Sequence, residues 1–310
     1  MPRRSKDILE MKGREGQSMY ELTHIKGRTW TIESPARVGL YQLDDTRVVL
    51  IDAGSDKEAG RKIRQVLDRN HWQLAAIYIT HSNADHIGGC RFLQDRTGCR
   101  IYAPGIECAF TKWSVLEPSF LYGGYPFKAL RHKFLMAQPC DCRELTPDVL
   151  PEGLEMIDLP GHFFQMQGFR TADDVVFLAD CLSSRETLKK YGLSFVYDVQ
   201  AYLETLDRVR DMQAAVFVAA HAPVTEDIRA LAAFNQEHVK NLLHQILEIL
   251  AEPKTFEDIL AALCGLYDIR LNPAQYVLVG STVRSFLSYL ADEGSVLYEF
   301  ENGKMWWKAC

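Results

Sequence analysis

Short apolar runs recur along this chain with two different periods. Between Tyr20 and Asp52 the runs YELTHIKG, RTWTIE, RVGLYQL and RVVLID are rich in β-branched and aromatic residues. They predict an antiparallel meander with a hairpin turn at Asp44-Asp45. Over residues 56–70 the spacing changes, with Ile63, Val66 and Leu67 on one face and charge elsewhere, which predicts an amphipathic helix. Residues 75–79 read as a short buried strand, 90–97 as a helix and 99–103 as a strand again, so the sheet is mixed with helices outside it. Residues 156–174 carry two more strands, 175–180 another and 214–220 the last of the sheet. Helices are expected over 185–190 and 199–212, the latter burying Leu203, Leu206 and Val209.

Residues 104–151 are the least regular part, and KWSVLEPSFLYGGYPFKALRHKFLMA in their middle concentrates aromatic, glycine and proline residues. A loop of this length inside a compact domain is usually functional. We read it as the wall or lid of a substrate pocket, built from some of Trp113, Phe120, Tyr122, Tyr125 and Phe127; a dimer contact and a satellite core cluster are the structural alternatives. After Thr225 the composition shifts. Residues 226–251 form a long helical pattern, Thr255-Phe-Glu-Asp258 is a capping box opening a helix over 256–267, and 273–292 is a third helix. Residues 295–301 and 304–308 make a hairpin about Asn302-Gly303. Helix, helix, helix, hairpin is the order of a winged helix.

At 310 residues the chain suits one large and one small domain. Its 47% hydrophobic and 25% charged content is that of a soluble globular protein. A net charge of −6 excludes nothing but the strongly basic classes. In residues 251–310, five Lys/Arg stand against eight Asp/Glu, and the third helix offers only Arg284, so nucleic acid is not expected on this module. A structural or dimerisation role, with a homodimer as the assembly, fits its charge better. No apolar run approaches the roughly 18 residues of a membrane span. The first eighteen residues lack the apolar segment of a secretion signal and read as a disordered lead or upstream start, with Met11 or Met19 equally able to open the folded part. Eight cysteines without Cys-x-x-Cys spacing suit reduced thiols and a cytoplasmic location. Cys140-Asp-Cys142 is the only close pair, read as a loop coincidence over a metal or redox site.

Candidate chemistry concentrates in AAIYITHSNADHIGG, residues 75–89. The strand ends and His81, Asn83, Asp85 and His86 follow within six residues, where a loop can gather them about one point. Gly88 and Gly89 let the backbone pass closely beneath that point. The stretch resembles the H-x-H-x-D-H signature of the metallo-β-lactamase superfamily, with Asn83 in place of the second histidine. The likeness continues in order: Asp52-Ala-Gly54 resembles the family's D-x-G turn, Gly161-His162 follows an apolar run, Asp180 ends the next, and His221 ends the last.

That resemblance implies an α/β fold, the four-layer αββα metallo-β-lactamase sandwich, over residues 19–225, with a winged-helix-like α+β domain over 226–310. It also implies a first metal site of His81, Asn83 and His162, a second of Asp85, His86 and His221, and Asp180 bridging them. The implied cofactor is zinc at two sites, with iron or manganese as alternatives, and a metal-bound hydroxide would attack a carbonyl or phosphoryl centre. Asp85 would move the proton to the leaving group. Asp52 either orients a ligand from behind or merely caps the turn. Two divalent cations, two aspartates and a hydroxide leave a net +1, which favours an anionic small-molecule substrate. A carboxamide oxygen is a weaker donor than imidazole, so the first site should fill second and only in part.

The leading expectation is a metal-dependent hydrolase of a small ester, thioester or lactone, similar to the glyoxalase II and lactonase branches. A mono-iron dioxygenase acting on a persulfide, with His81, His162 and Asp180 as its triad, is the alternative. A winged-helix ribonuclease and a non-catalytic binding protein rank below these. β-Lactam hydrolysis is disfavoured by the missing export signal. Cys181 beside Asp180 is not expected to be a ligand, because neighbouring residues on a strand point oppositely. His132, His238 and His244 read as ordinary helix-face residues.

Overall fold

The computed structural model describes residues 19–310, so the reading of residues 1–18 as a lead falls outside the described residues. Strands β1 (Leu22–Lys26), β2 (Thr29–Ile32), β3 (Val38–Gln42) and β4 (Arg47–Ile51) form the expected antiparallel meander. Helix α1 (Lys57–Arg69) crosses over to β5 (Gln73–Tyr78), which pairs parallel to β4. After α2 (Ala84–Ile87) and α3 (Cys90–Thr97), β6 (Arg100–Ala103) adds in parallel. Following α4 (Gly105–Lys112) and α5 (Leu116–Tyr122), β7 (Arg143–Glu144) closes a seven-stranded sheet in sequence order.

The second sheet has the order β11-β10-β9-β8, made of β8 (Leu154–Asp158), β9 (Gln167–Thr171), β10 (Val175–Ser183) and β11 (Val216–His221). Helices α6 (Arg185–Tyr191) and α7 (Val199–Asp211) carry the chain from β10 to its parallel neighbour β11.

Why these strands read as unbroken apolar runs is visible in where alternate residues go. On β4, Val48 and Leu50 enter the core under α1 and α3, while Val49 and Ile51 face the second sheet. On β10, Val175 and Phe177 meet the first sheet, and Val176 and Leu178 pack beneath α7. A strand covered on both faces loses polar alternation. The layers are therefore helix, sheet, sheet, helix, the αββα sandwich. On α7 the buried stripe is Val199, Tyr202, Leu206 and Val209, with Leu203 only half-buried.

Residues 104–151 depart from expectation. They hold α4, α5, single 3₁₀ turns at Lys128–Leu130 and Pro147–Val149, and β7. Pro118, which reads as a breaker, lies in the first turn of α5, where no intrahelical partner for its N–H is needed. Phe120 packs among Phe163, Phe164 and Tyr197, whereas Trp113, Tyr122, Tyr125 and Phe127 are exposed.

The C-terminal part consists of α8 (Arg229–Ile249), β12 (Lys254–Thr255), α9 (Phe256–Leu266), α10 (Pro273–Asp292), β13 (Val296–Glu301) and β14 (Lys304–Ala309). The Thr255/Asp258 capping box is formed. Two-residue β12, too short for any periodicity, is set by pairing with β14. One apolar core runs from β10 and β11 through α7 and α8 to α9 and α10. Val277 on α10 also packs with Leu121, Leu130 and Leu135, bracing the 104–151 segment from behind. Arg284 lies 3.8 Å from the centre of the Phe256 ring. Among the described residues no helix is long and apolar enough to cross a membrane.

Candidate metal centre

Strands β4, β5, β10 and β11 run parallel within their sheets, and their C-terminal ends meet at one edge of the sandwich. His81 follows β5, Asp85 and His86 sit on α2, His162 follows β8, Asp180 lies within β10, and His221 ends β11. The structure brings all six together. Asp85, His86, Asp180 and His221 form one group, and His81, His162 and Asp180 another, with donor atoms in each within 4.8 Å of one another. Asp180 is common to both. His86 Nε2 lies 3.1 Å from Asp180 Oδ1, and His221 Nε2 lies 3.1 Å from Asp180 Oδ2 and 3.4 Å from Asp85 Oδ2. The Asp85 side chain is 41% exposed and that of Asp180 10%, so the centre opens to solvent on the Asp85 side.

Asp180 owes its place to an irregularity in the sheet. Between the pairs Ala179↔Ala219 and Ser183↔His221, four steps along β10 span two along β11, and Ala179 has φ 49°. The excess lifts Asp180 out of the ladder, as bulges do beside active sites. Cys181 is fully buried between the sheet and α7, where burial pushes its thiol up, and it takes no part in either group.

Two imidazoles are oriented from behind. Asp52 Oδ2 lies 2.7 Å from His86 Nδ1 and accepts from Thr80 Oγ1 (2.9 Å), while Oδ1 accepts from Thr80 N (2.8 Å). Thr80 Oγ1 in turn lies 3.0 Å from His81 Nδ1. With each Nδ1 engaged, each Nε2 is left for the centre. Asp52 itself adopts φ 66°, a left-handed conformation that a non-glycine residue seldom takes. Of the two roles open for Asp52, its contact with the His86 ring fits the first.

The donor set fits a divalent cation on an observation of the protein alone. His81 Nε2 is buried and makes no hydrogen bond, and His86 Nε2 and Asp180 Oδ1, buried as well, have only each other at 3.1 Å. A buried polar atom without a partner is costly, and one set among imidazole and carboxylate donors marks a place for a cation.

Asn83 is engaged differently from its neighbours. Its Oδ1 lies 3.2 Å from His162 Nε2, and its Nδ2 donates to Glu117 Oε1 at 2.9 Å. Glu117, from α5, is buried, and burial holds its carboxyl well above the usual range. A second buried carboxylate, Glu107 of α4, accepts from Ser82 N, Ser82 Oγ and Gln165 N, joining the loop of His81 to that of His162. Neither glutamate is legible in the sequence. Their only signal is an acid on the inward face of an otherwise apolar helix. Gln165 Oε1 accepts from Ile106 N at the start of α4, and Gln167 donates to Asp158. His132 accepts from Phe134 N in a turn, and His244 lies 3.3 Å from Glu248 on α8. Cys140 and Cys142 are buried free thiols in the core shared with Cys90, Cys99 and Cys108.

Charge divides the two groups. Burial alone would lower His86 and His221, but Asp180 and its neighbouring carboxylates outweigh it, holding His86 well above its usual range and His221 up at about 10. Burial and the adjacent imidazoles keep His81 below its usual range, and burial lowers His162 likewise. The Asp85/His86/His221 group is thus the more electronegative, and a cation entering it displaces protons.

Burial raises Glu107 from 4.5 to about 7. A raised carboxyl binds its proton more tightly folded than unfolded, so its contribution is complete below pH 4.5 and lost as pH rises through about 7. The change is about 3 kcal/mol at 1.36 kcal/mol per unit. Glu107→Gln should therefore flatten the stability difference between pH 5 and pH 8 relative to the parent chain, measured by urea unfolding. An unchanged difference would remove Glu107 as its source.

Known proteins resemble this chain in sequence and in fold. The family described as the metallo-beta-lactamase superfamily matches residues 32–221. A hydroxyacylglutathione hydrolase of Bradyrhizobium sp. (strain ORS 278) is 49% identical over 47 residues, 15% of this chain and 18% of that protein. The chain spans about a fifth of the length of the curated hydroxyacylglutathione hydrolases it matches. Among solved structures, a beta-lactamase domain protein from Burkholderia ambifaria superposes with a TM-score of 0.73 at 15% identity, covering 94% of both chains. A metallo-beta-lactamase family protein from Thermus thermophilus gives 0.66 at 19% identity, covering 93% of this chain and 97% of that one. At these identities the likeness is one of fold, and its coverage takes in residues beyond 225.

Proposed function

The chain belongs to the metallo-β-lactamase superfamily, and on that premise we propose that it is a metal-dependent hydrolase of a small thioester or related ester, with zinc held at two sites. The observation that carries this reading is the pair of donor groups sharing Asp180, with His81 Nε2 buried and unpartnered among them. Imidazole and carboxylate together suit zinc. Bound there, the metal would supply Lewis acidity and lower the pKa of a coordinated water to about 7.

The protein's own residues do the rest. Asp52 and Thr80 hold the His86 and His81 rings in the donor tautomer. Asp180 sets the spacing of the two sites. Asp85, half-exposed at the mouth, is placed to take a proton from the nucleophile and pass it to the leaving group. A thioester is favoured because the named relatives that match in part are hydroxyacylglutathione hydrolases. An anionic substrate follows from the net +1 of the loaded centre. We also divide the chain into a catalytic domain over 19–225 and a winged-helix-like domain over 226–310. The latter braces the 104–151 segment through Val277, and its acidic balance disfavours nucleic acid as its ligand.

Asn83 makes the His81/His162 site the weaker one, since its amide oxygen replaces an imidazole and its nitrogen is committed to Glu117. Asn83→His should tighten the second equivalent of zinc on the order of tenfold, read by competition with a chromophoric chelator. No change would show that position 83 does not face the metal.

The mono-iron reading has His81, His162 and Asp180 in its favour, but leaves the second group of four without a purpose. Metal content of protein purified without added metal, followed by assay against thioesters, esters and lactones, tests the proposal. Zinc with cleavage of at least one class supports it. Ferrous iron with oxygen uptake, or loaded protein inert toward all three, would overturn it.

A further inference from the structure

We propose that the buried ion pair Glu33–Arg37 is a positioning device for His221, setting the cation affinity of the Asp85/His86/His221 site. The proposal rests on the metal reading above. Arg37 comes from the β2–β3 connection of the first sheet, whereas His221 ends β11 of the second. The Arg37 and Glu33 side chains are 2% and 8% exposed, so the guanidinium must find its partners inside the protein.

Nε and Nη2 grip both oxygens of Glu33 at 2.8 and 3.1 Å. That leaves Nη1 to donate to Ala219 O at 2.9 Å and Ala222 O at 2.7 Å, residues 182 and 185 positions away. The backbone N of Arg37 donates to Ala220 O at 3.2 Å. From the other side Ser184 N and Thr187 Oγ1 donate to His221 O at 3.2 and 3.3 Å. Four consecutive carbonyls, 219 through 222, are thereby fixed.

This differs from how the other histidines are held. His81 and His86 are oriented at Nδ1 by Thr80 and Asp52. His221 is oriented through its backbone. The core between the two sheets is apolar, and its non-directional attraction cannot register a ligand to a few tenths of an ångström. Directional bonds from one sheet to the strand end of the other can. A buried ion pair adds little stability by itself. Its geometry here serves placement instead, and only a planar fork of five donors can serve Glu33 and two carbonyls at once.

Arg37→Lys keeps the charge opposite Glu33 but cannot make the same bonds. Zinc affinity, titrated into metal-free protein against a chromophoric chelator, should fall about 10–100-fold at the tighter site, the usual range for residues that orient ligands. The same substitution in a His221→Ala background should then change it less than about twofold, because the ligand through which it acts is gone. Circular dichroism of each metal-free variant checks the fold. If Arg37→Lys does not fold, the double variant Glu33→Gln, Arg37→Gln, which removes both buried charges together, goes through the same cycle.

Full zinc affinity in the Arg37 variant, or an equal loss in both backgrounds, overturns the proposal while leaving the metal reading intact. A His221→Ala protein that binds zinc as tightly as the parent overturns the metal reading at His221, and this inference with it.

Discussion

Asp180→Ala should empty both halves of the centre and lower turnover on the order of a thousandfold, about 4 kcal/mol of transition-state stabilisation. The size of the effect comes from Asp180 being the one side chain shared by both donor groups. Its Oδ1 and Oδ2 lie 3.1 Å from the His86 and His221 rings of one group, and Oδ2 lies 3.8 Å from His162 Nε2 of the other. Losing it removes a donor from each site. It also removes the negative charge that raises the His86 and His221 imidazoles. Neutral Asp180→Asn should fall between the parent and alanine in zinc content, because an amide oxygen can still donate weakly. Zinc per chain and kcat, measured on the same preparations, check both. A fully loaded, active alanine variant would mean that Asp180 is not the bridge.

Gly88→Ala should be strongly destabilising. A Cβ built at Gly88 would stand 2.2 Å from both C and O of Ser55, and one at Gly89 would stand 2.2 Å from Ala53 O. These neighbours are backbone, not the ends of flexible side chains. The φ angles of −60° and −85° are ordinary for any residue, so the requirement for glycine is one of space and not of conformation. Relief would have to separate the α2–α3 loop from the turn after β4. That parts the hydrogen bonds Ala53 N to His86 O (2.8 Å) and Gly89 N to Gly54 O (3.2 Å), and with them the Asp52–His86 contact. Overpacking against rigid neighbours costs about 3 kcal/mol or more. A chain of this size should lose on the order of 10 °C in melting temperature. Zinc affinity should fall with it. A variant that melts within a degree or two of the parent would show that the two segments separate at little cost.

Much of this is legible in the sequence where the determinant is local. Apolar runs before His81 and His221 read as strands with donors at or just past their ends, and the structure agrees; at Asp180 it differs, since β10 continues to Ser183. Thr255 and Asp258 announce their helix because a capping box is complete within four residues. The 104–151 segment misleads for the converse reason. Glycine and proline there read as breakers, yet α4 and α5 form because Phe110, Leu121 and Glu117 find buried partners in other parts of the chain.

The residues that complete the centre are the least legible. Glu117 meets Asn83 across 34 positions, Asp52 meets His86 across 34, and Arg37 meets Ala222 across 185. By itself the sequence determined which residue types could hold a cation, because donors follow strand ends within a few positions and periodicity marks those ends. Only the tertiary structure decided which atoms of those donors face inward and what holds them there. A side chain's orientation is set by hydrogen bonds and steric contacts with segments that the linear order keeps far apart, and no local pattern encodes who those partners are.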